Sequence, residues 1–267
     1  MTGEPVIAAP PQGVPVPERN AHAAYLLRHG DDNLILAQRL GEWISRGPDL
    51  EQDIAIGNFA LDHLGQARSL LTRAAELEGE GRTEDDLAFL RSEREFTNLL
   101  MVEQPNGDFA STMVRQHFND AYQVPLWEAL TVSADETLAG VAGKAIKEAR
   151  YHLRHSTAWV VRLGDGTEES HRRTQDAVDA LWRFTGELFA VDDVDRDMVE
   201  AGIGTDPSAI RPIWDATVDA VLAEATLNRP EDGYERHGGR SGFHTDHLGH
   251  LLPEMQWMHR TYPGLEW

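Results

Sequence analysis

His63, in the stretch LDHLGQAR, and His152, in KEARYHLRHS, each interrupt a long run of helical apolar spacing with a side chain that can bind a metal ion. Di-iron carboxylate sites are built inside helical bundles from one Glu on each of two helices and a Glu-x-x-His unit on each of two others. The three-residue step matters because residues i and i+3 leave a helix from the same face. Carboxylate oxygens and an imidazole then hold each iron, with positions left open for oxygen. That chemistry requires carboxylates on the same inward faces as the two histidines.

Around His152 they are missing. Leu138, Ala142, Ala145, Ala149, His152, Ser156, Trp159 and Leu163 follow one another at alternating steps of four and three, the spacing of a bundle interior. Three residues before His152 stands Ala149, a methyl group where iron would take Glu. Glu148 is rotated from it by about 100° and belongs to the seam edge. The second segment has an apolar face of Ile56, Ala60, Ala67, Leu70, Ala74 and Leu77, interrupted by His63. Three residues on is Gln66, so the unit reads His63-x-x-Gln66, and an amide brings no charge to balance iron. The literal Glu-x-x-His, Glu168 to His171, falls in the first turn after GDGT, where an acidic residue compensates the helix dipole. The expectation is a metal-free core in which His63, Gln66, Ala149 and His152 are vestigial ligand positions. Gln66 and His152 would satisfy each other or nearby carboxylates.

The elements needed to hold these residues are long helices. A first is predicted over Ala21–Arg46, stopped by Gly47 and Pro48, and a second, capped by Asp49, to Glu78. A shorter piece spans Glu84–Asn98. Asp108 caps a third long helix to Val132, kinked at Pro125. Ser133 and Glu136 form a capping-box pattern for the fourth, which stops after Leu163. Thr167 opens a fifth to Phe189, Asp206–Pro207 a sixth, and the last covers Thr245–Tyr262. The Gly-rich piece Glu231–Gly242 is predicted as loop. No alternating strand pattern appears, so the fold class is all-α: a helical bundle with extra helices, as one domain over 21–267.

Composition excludes several functions. With 45 Asp and Glu against 24 Lys and Arg, a net charge of −21 would repel a nucleic-acid backbone. No cysteine is present, which removes disulfides, thiolate metal sites and a cysteine nucleophile. No apolar run approaches the ~20 residues of a membrane span. The first 20 residues carry five of the 13 prolines, lack a basic start and an apolar core, and read as a flexible leader; the cytoplasm is the expected compartment.

Three features stand outside the two-histidine pattern. His244, His247 and His250 fall within one helical arc and could bind zinc, cap the helix or meet a partner. Among 24 basic residues only Lys144 and Lys147 are lysines. They are expected to contact anionic groups of a partner or ligand, or to form a solvated surface pair. The tail EMQWMHRTYPGLEW is rich enough in Met and aromatics for an interface.

The segments LRHGDDNLILAQRLGEW, LDHLGQARSLL, TNLLMVEQPNGDFA, KAIKEARYHLR, LWRFTGELF, EATLNRP and HTDHLGHLLPEMQ resemble the C subunit of the bacterial phenylacetyl-CoA epoxidase over Ala24–Trp267. The departures are the Pro-rich leader and His63 in the second-helix motif. The resemblance implies a ferritin-like bundle that pairs with a homologous catalytic A subunit and other subunits of the complex. It implies di-iron in that A subunit, none in this chain, and electrons from a separate NADPH-dependent flavin and Fe–S reductase. The chain's own role would be structural, with no catalytic residue, in epoxidation of the ring of phenylacetyl-CoA, and Lys144 and Lys147 would contact carboxylates of the A subunit or the phosphates of a bound CoA ester. Two alternatives stay open. One is an active di-iron oxygenase using Glu42, Asp62, His63, Glu148 and His152; the other is a zinc module on the His244/His247/His250 helix.

Overall fold

The computed structural model describes residues 20–265, and every regular element among them is helical. In chain order these are α1 (Ala21–Gly41), α2 (Leu50–Glu78), α3 (Glu84–Phe89), α4 (Leu100–Glu103), α5 (Phe109–Leu130), α6 (Glu136–Gly164), α7 (Glu168–Trp182), α8 (Asp193–Glu200), α9 (Arg211–Glu224) and α10 (Asp246–Thr261), with short 3-10 turns between some of them. The expected leader lies outside the described residues except for Asn20, which caps α1. Trp267 of the tail also lies outside them.

α1 packs along α2, α5 packs along α6, and α2 against α6 joins the two antiparallel pairs. This is the expected four-helix core with extra helices. α7 and α9 cover the α5–α6 pair, α8 lies on α1, and α10 closes over α3. Phe118 of α5, Trp182, Phe189 and Trp214 form an aromatic cluster with ring centroids 5.4–5.7 Å apart under this outer layer.

Local cap chemistry explains most helix starts. Asp49, Asp108 and Thr167 each accept a backbone N–H of the first turn. Gly79 ends α2 at φ 69°, where a side chain would be strained. Some boundaries differ from expectation. α1 stops at Gly41 rather than Arg46, α5 at Leu130, and α7 at Trp182 with a 3-10 turn over Gly186–Phe189. The cap of α6 is Asp135, which accepts from Leu138 N, while the Ser133 hydroxyl is turned to Ile203 O. The buried seam of α6 follows expectation through Ser156, then moves to Val160 and Gly164 in place of Trp159 and Leu163. A straight helix drifts about 20° per heptad from a seven-residue repeat, so after three heptads the inward position passes to the next residue.

A buried polar network sets the azimuth of α1. Arg28 to Asn33 are all buried. Asp31 pairs with Arg91 and accepts Thr97 N and Oγ1. Asp32 holds Arg240 at 2.8–2.9 Å and accepts Leu99 N at 2.7 Å. Glu187 accepts the backbone N–H groups of Leu100, Gly238 and Gly239. These charge-assisted bonds tie the irregular segments onto α1. They fix the rotation at which Asn33, the next residue, meets the bundle interior.

Candidate functional site

The two histidines do meet. His63 on α2 and His152 on α6 lie with ring centroids 5.2 Å apart. Both are buried, at 0% and 1% exposure. Asp120 of α5 joins them: His63, Asp120 and His152 each offer a ligand atom, and these atoms lie within 4.8 Å of one another. From α1, Asn33 completes the ring of four helices by accepting from His63 Nδ1 at 2.8 Å.

This arrangement corrects the register expected for α2. The counterpart of Ala149-x-x-His152 is Ala60-x-x-His63, not His63-x-x-Gln66. Gln66 is buried beside the site but donates to Glu148 Oε2 at 2.9 Å. Both Glu-x-x-His positions of a di-iron bundle are therefore Ala-x-x-His, with Ala60 and Ala149 buried. Of the two helices that would contribute a single Glu, α1 offers Asn33 and α5 offers Asp120. Three methyl or amide groups stand where three of the four carboxylates would be. The residues present do not fit a dinuclear iron centre.

Each ring has a defined partner. Asn33 donates from Nδ2 to His29 O at 2.8 Å, so its carbonyl faces His63 and accepts the Nδ1 proton. His152 Nε2 donates to the Asp62 carboxylate at 3.0 Å. Of the two partnerships open to His152, the one with a nearby carboxylate is present. Asp120 accepts from the Ser156 hydroxyl at 2.8 Å. Burial pushes the Asp120 carboxyl up to about 7, and burial, with His152 alongside, holds His63 well below the usual histidine range. The site thus joins a His63 ring that burial keeps neutral, a His152 ring held by Asp62, and the carboxyl group of Asp120.

The remaining sequence candidates are dispersed. Glu42 ends α1 and binds Arg39 and Asn106. Glu148 is at the rim, 3.3 Å from Lys144 Nζ. His171 bonds Gly164 O at 2.7 Å at the start of α7, as a helix-end residue. His244 precedes α10, with Nδ1 on Glu103 and Nε2 on Phe96 O, while His247 and His250 are exposed. With both nitrogens of His244 engaged, the three histidines do not form a zinc cluster. Lys144 and Lys147 are exposed on α6, with Lys144 Nζ close to Gly65 of α2. Trp257, Met258 and Tyr262 of the tail are exposed, as an interface segment would be.

Sequence reasoning misses Asn33, Ala60 and Asp120 as site residues, and it places Ser156 on the α6 seam without a role. Asp120 carries no signal because residues 112 to 123 of α5 are all buried, so no amphipathic stripe marks the inward face.

Residues 7–267 match the family described as phenylacetic acid catabolic protein. The chain is 54% identical over 248 residues to the C subunit of the 1,2-phenylacetyl-CoA epoxidase of Escherichia coli (strain K12), covering 93% of this chain and 100% of that protein. By its fold, its four-helix interior and this match, the chain belongs to the phenylacetic acid catabolic protein family.

Proposed function

We propose that this chain is the non-catalytic subunit of a phenylacetyl-CoA epoxidase, supporting a homologous iron-bearing subunit in aerobic phenylacetate breakdown. The observation that carries the reading is the pair Ala60 and Ala149 at the two Glu positions of the bundle, joined by Asn33 on α1. Without those carboxylates the interior cannot neutralise two irons, so oxygen chemistry belongs to the partner subunit and electrons to a separate reductase. What this chain can supply is rigidity. Four long helices packed on one another, with the outer segments tied to α1 by buried ion pairs at Asp31–Arg91 and Asp32–Arg240, present a fixed outer surface.

The exposed side of α2 and α6 has the composition of a docking face. Ile54, Leu61 and Leu64 of α2 and Tyr151 of α6 are 42–65% exposed, and α6 also carries the exposed Lys144 and Lys147, the chain's two lysines. The lysines contact carboxylates of the iron-bearing subunit in this reading. No helix among the described residues is long and apolar enough to cross a membrane.

The test is reconstitution. The iron-bearing subunit and reductase convert phenylacetyl-CoA in an oxygen-dependent reaction that rises when this chain is added, and this chain with reductase alone gives none. Turnover by this chain without the paralogue would overturn the reading.

A further inference from the structure

A dinuclear centre does not fit, yet the interior is not simply filled in. His63, Asp120 and His152 share an unusual pattern. Each has one polar atom held by a neighbour and one buried polar atom with no partner. His63 Nδ1 is held by Asn33, His152 Nε2 by Asp62 and Asp120 Oδ2 by Ser156, at 2.8–3.0 Å. His63 Nε2, His152 Nδ1 and Asp120 Oδ1 are left unsatisfied. A buried polar atom without a partner is destabilising, and three in one place require an explanation. Other unpartnered atoms occur in this core, but among the described residues this is the group of metal-binding side chains that converges.

The hydrogen bonds also set the chemical state of the unpartnered atoms. A neutral imidazole that donates from Nδ1 to Asn33 presents a lone pair at Nε2; one that donates from Nε2 to Asp62 presents a lone pair at Nδ1. Metal-bound histidines are held in this way, with the second ring nitrogen donating to a carboxylate or carbonyl that fixes tautomer and orientation. Two imidazoles and one carboxylate on three helices are a ligand set for a single borderline divalent ion.

The geometry points to one divalent ion of the zinc or ferrous class bound by His63 Nε2, His152 Nδ1 and Asp120 Oδ1. Bond lengths of about 2.0–2.2 Å require the three side chains to close by roughly 1 Å from their present spacing. The ion cross-links α2, α5 and α6 at mid-bundle. The methyl groups of Ala60 and Ala149 leave out the carboxylates that a second ion would need. This inference stands apart from the proposed function, since a structural ion is compatible with a subunit that does no oxygen chemistry.

The test uses the full chain, stripped of metal, titrated with Co2+ as a spectroscopic probe and with Zn2+ in competition. One Co2+ per chain binds with visible ligand-field bands, and zinc displaces it and raises the melting temperature. His63→Leu and Asp120→Asn each weaken binding at least tenfold, Asp62→Asn weakens it by about tenfold as an orienting neighbour, and His250→Ala leaves it unchanged. Metal-free His63→Leu melts no lower than the metal-free parent, which separates lost binding from lost folding. The proposal is overturned if the parent chain shows neither cobalt bands nor a zinc-dependent melting shift. It is equally overturned if both His63→Leu and Asp120→Asn bind as the parent does.

Discussion

The side-chain carbonyl of Asn33 accepts the Nδ1 proton of His63 at 2.8 Å, so an amide on α1 stands at the single-Glu position of a di-iron bundle and sets the tautomer of the facing ring. Its own amide is pinned to His29 O, which makes the pair a relay across two helices. Replacing Asn33 by Leu leaves a buried imidazole N–H without an acceptor. The metal-free variant is expected to lose about 1–3 kcal/mol in urea denaturation; an unchanged midpoint would show that the relay contributes nothing.

Asp31 and Arg91 form a second buried pair, with Thr97 as an additional donor to Asp31. Asp31→Ala strands a guanidinium of 2% exposure and is expected to cost about 3–5 kcal/mol. The double variant Asp31→Leu with Arg91→Met is expected to recover part of that loss, because no charge remains buried. Chemical denaturation of the single and double variants checks both statements.

Stability should fall in acid through the buried histidines. Burial lowers His117 from 6.5 to about 4, and His63 shifts in the same direction. Between about pH 6.5 and pH 4 the unfolded chain binds protons there that the folded chain excludes, so stability declines as pH drops through this window and levels below it. For His117 alone the decline amounts to about 3 kcal/mol at most. His117→Phe should flatten the slope of urea midpoint against pH; a slope equal to the parent's would remove His117 from this role.

Gly239 sits where a Cβ would collide with Asn98 O, and its N–H is one of those donated to Glu187. Gly239→Ala should destabilise by about 1–3 kcal/mol, while Gly233→Ala, which meets no atom closer than 3.9 Å, should be close to neutral. Thermal melts of the two variants make the comparison.

Much of the fold is legible in the sequence because its signals are local. Asp49, Asp108 and Thr167 stand out as caps since a side chain bonding a nearby N–H depends on a few residues only. Ser133 misleads because Asp135 stands closer to the helix and a carboxylate competes well for the same amides. α4 and α8 are too short to show a period. At the site, His152 and the missing carboxylate at Ala149 are legible from a strongly amphipathic α6. The register of α2 is not: its buried face includes both Ala60 and Gln66, and only the packing of α2 against α6 decides which lies level with Ala149. Asn33 and Asp120 sit on helices buried on nearly all sides, where periodicity carries no direction.

The two lysines give a surface prediction. Lys144→Ala with Lys147→Ala should weaken association with the iron-bearing subunit of the proposed complex, more at low than at high salt, with KM for phenylacetyl-CoA unchanged once that complex is assembled. A rise in KM with association intact would assign the lysines to the phosphates of the CoA ester instead. No change in either would return them to the solvated surface.

Oxygen-dependent epoxidation of phenylacetyl-CoA by the isolated, ferrous-loaded full chain with reductase, with metal counted per chain in the same sample, goes to the root of the matter. The expected result is no product and no more than one metal ion per chain, because three of four carboxylates are replaced by Ala60, Ala149 and Asn33. Product formation with two irons per chain would contradict it.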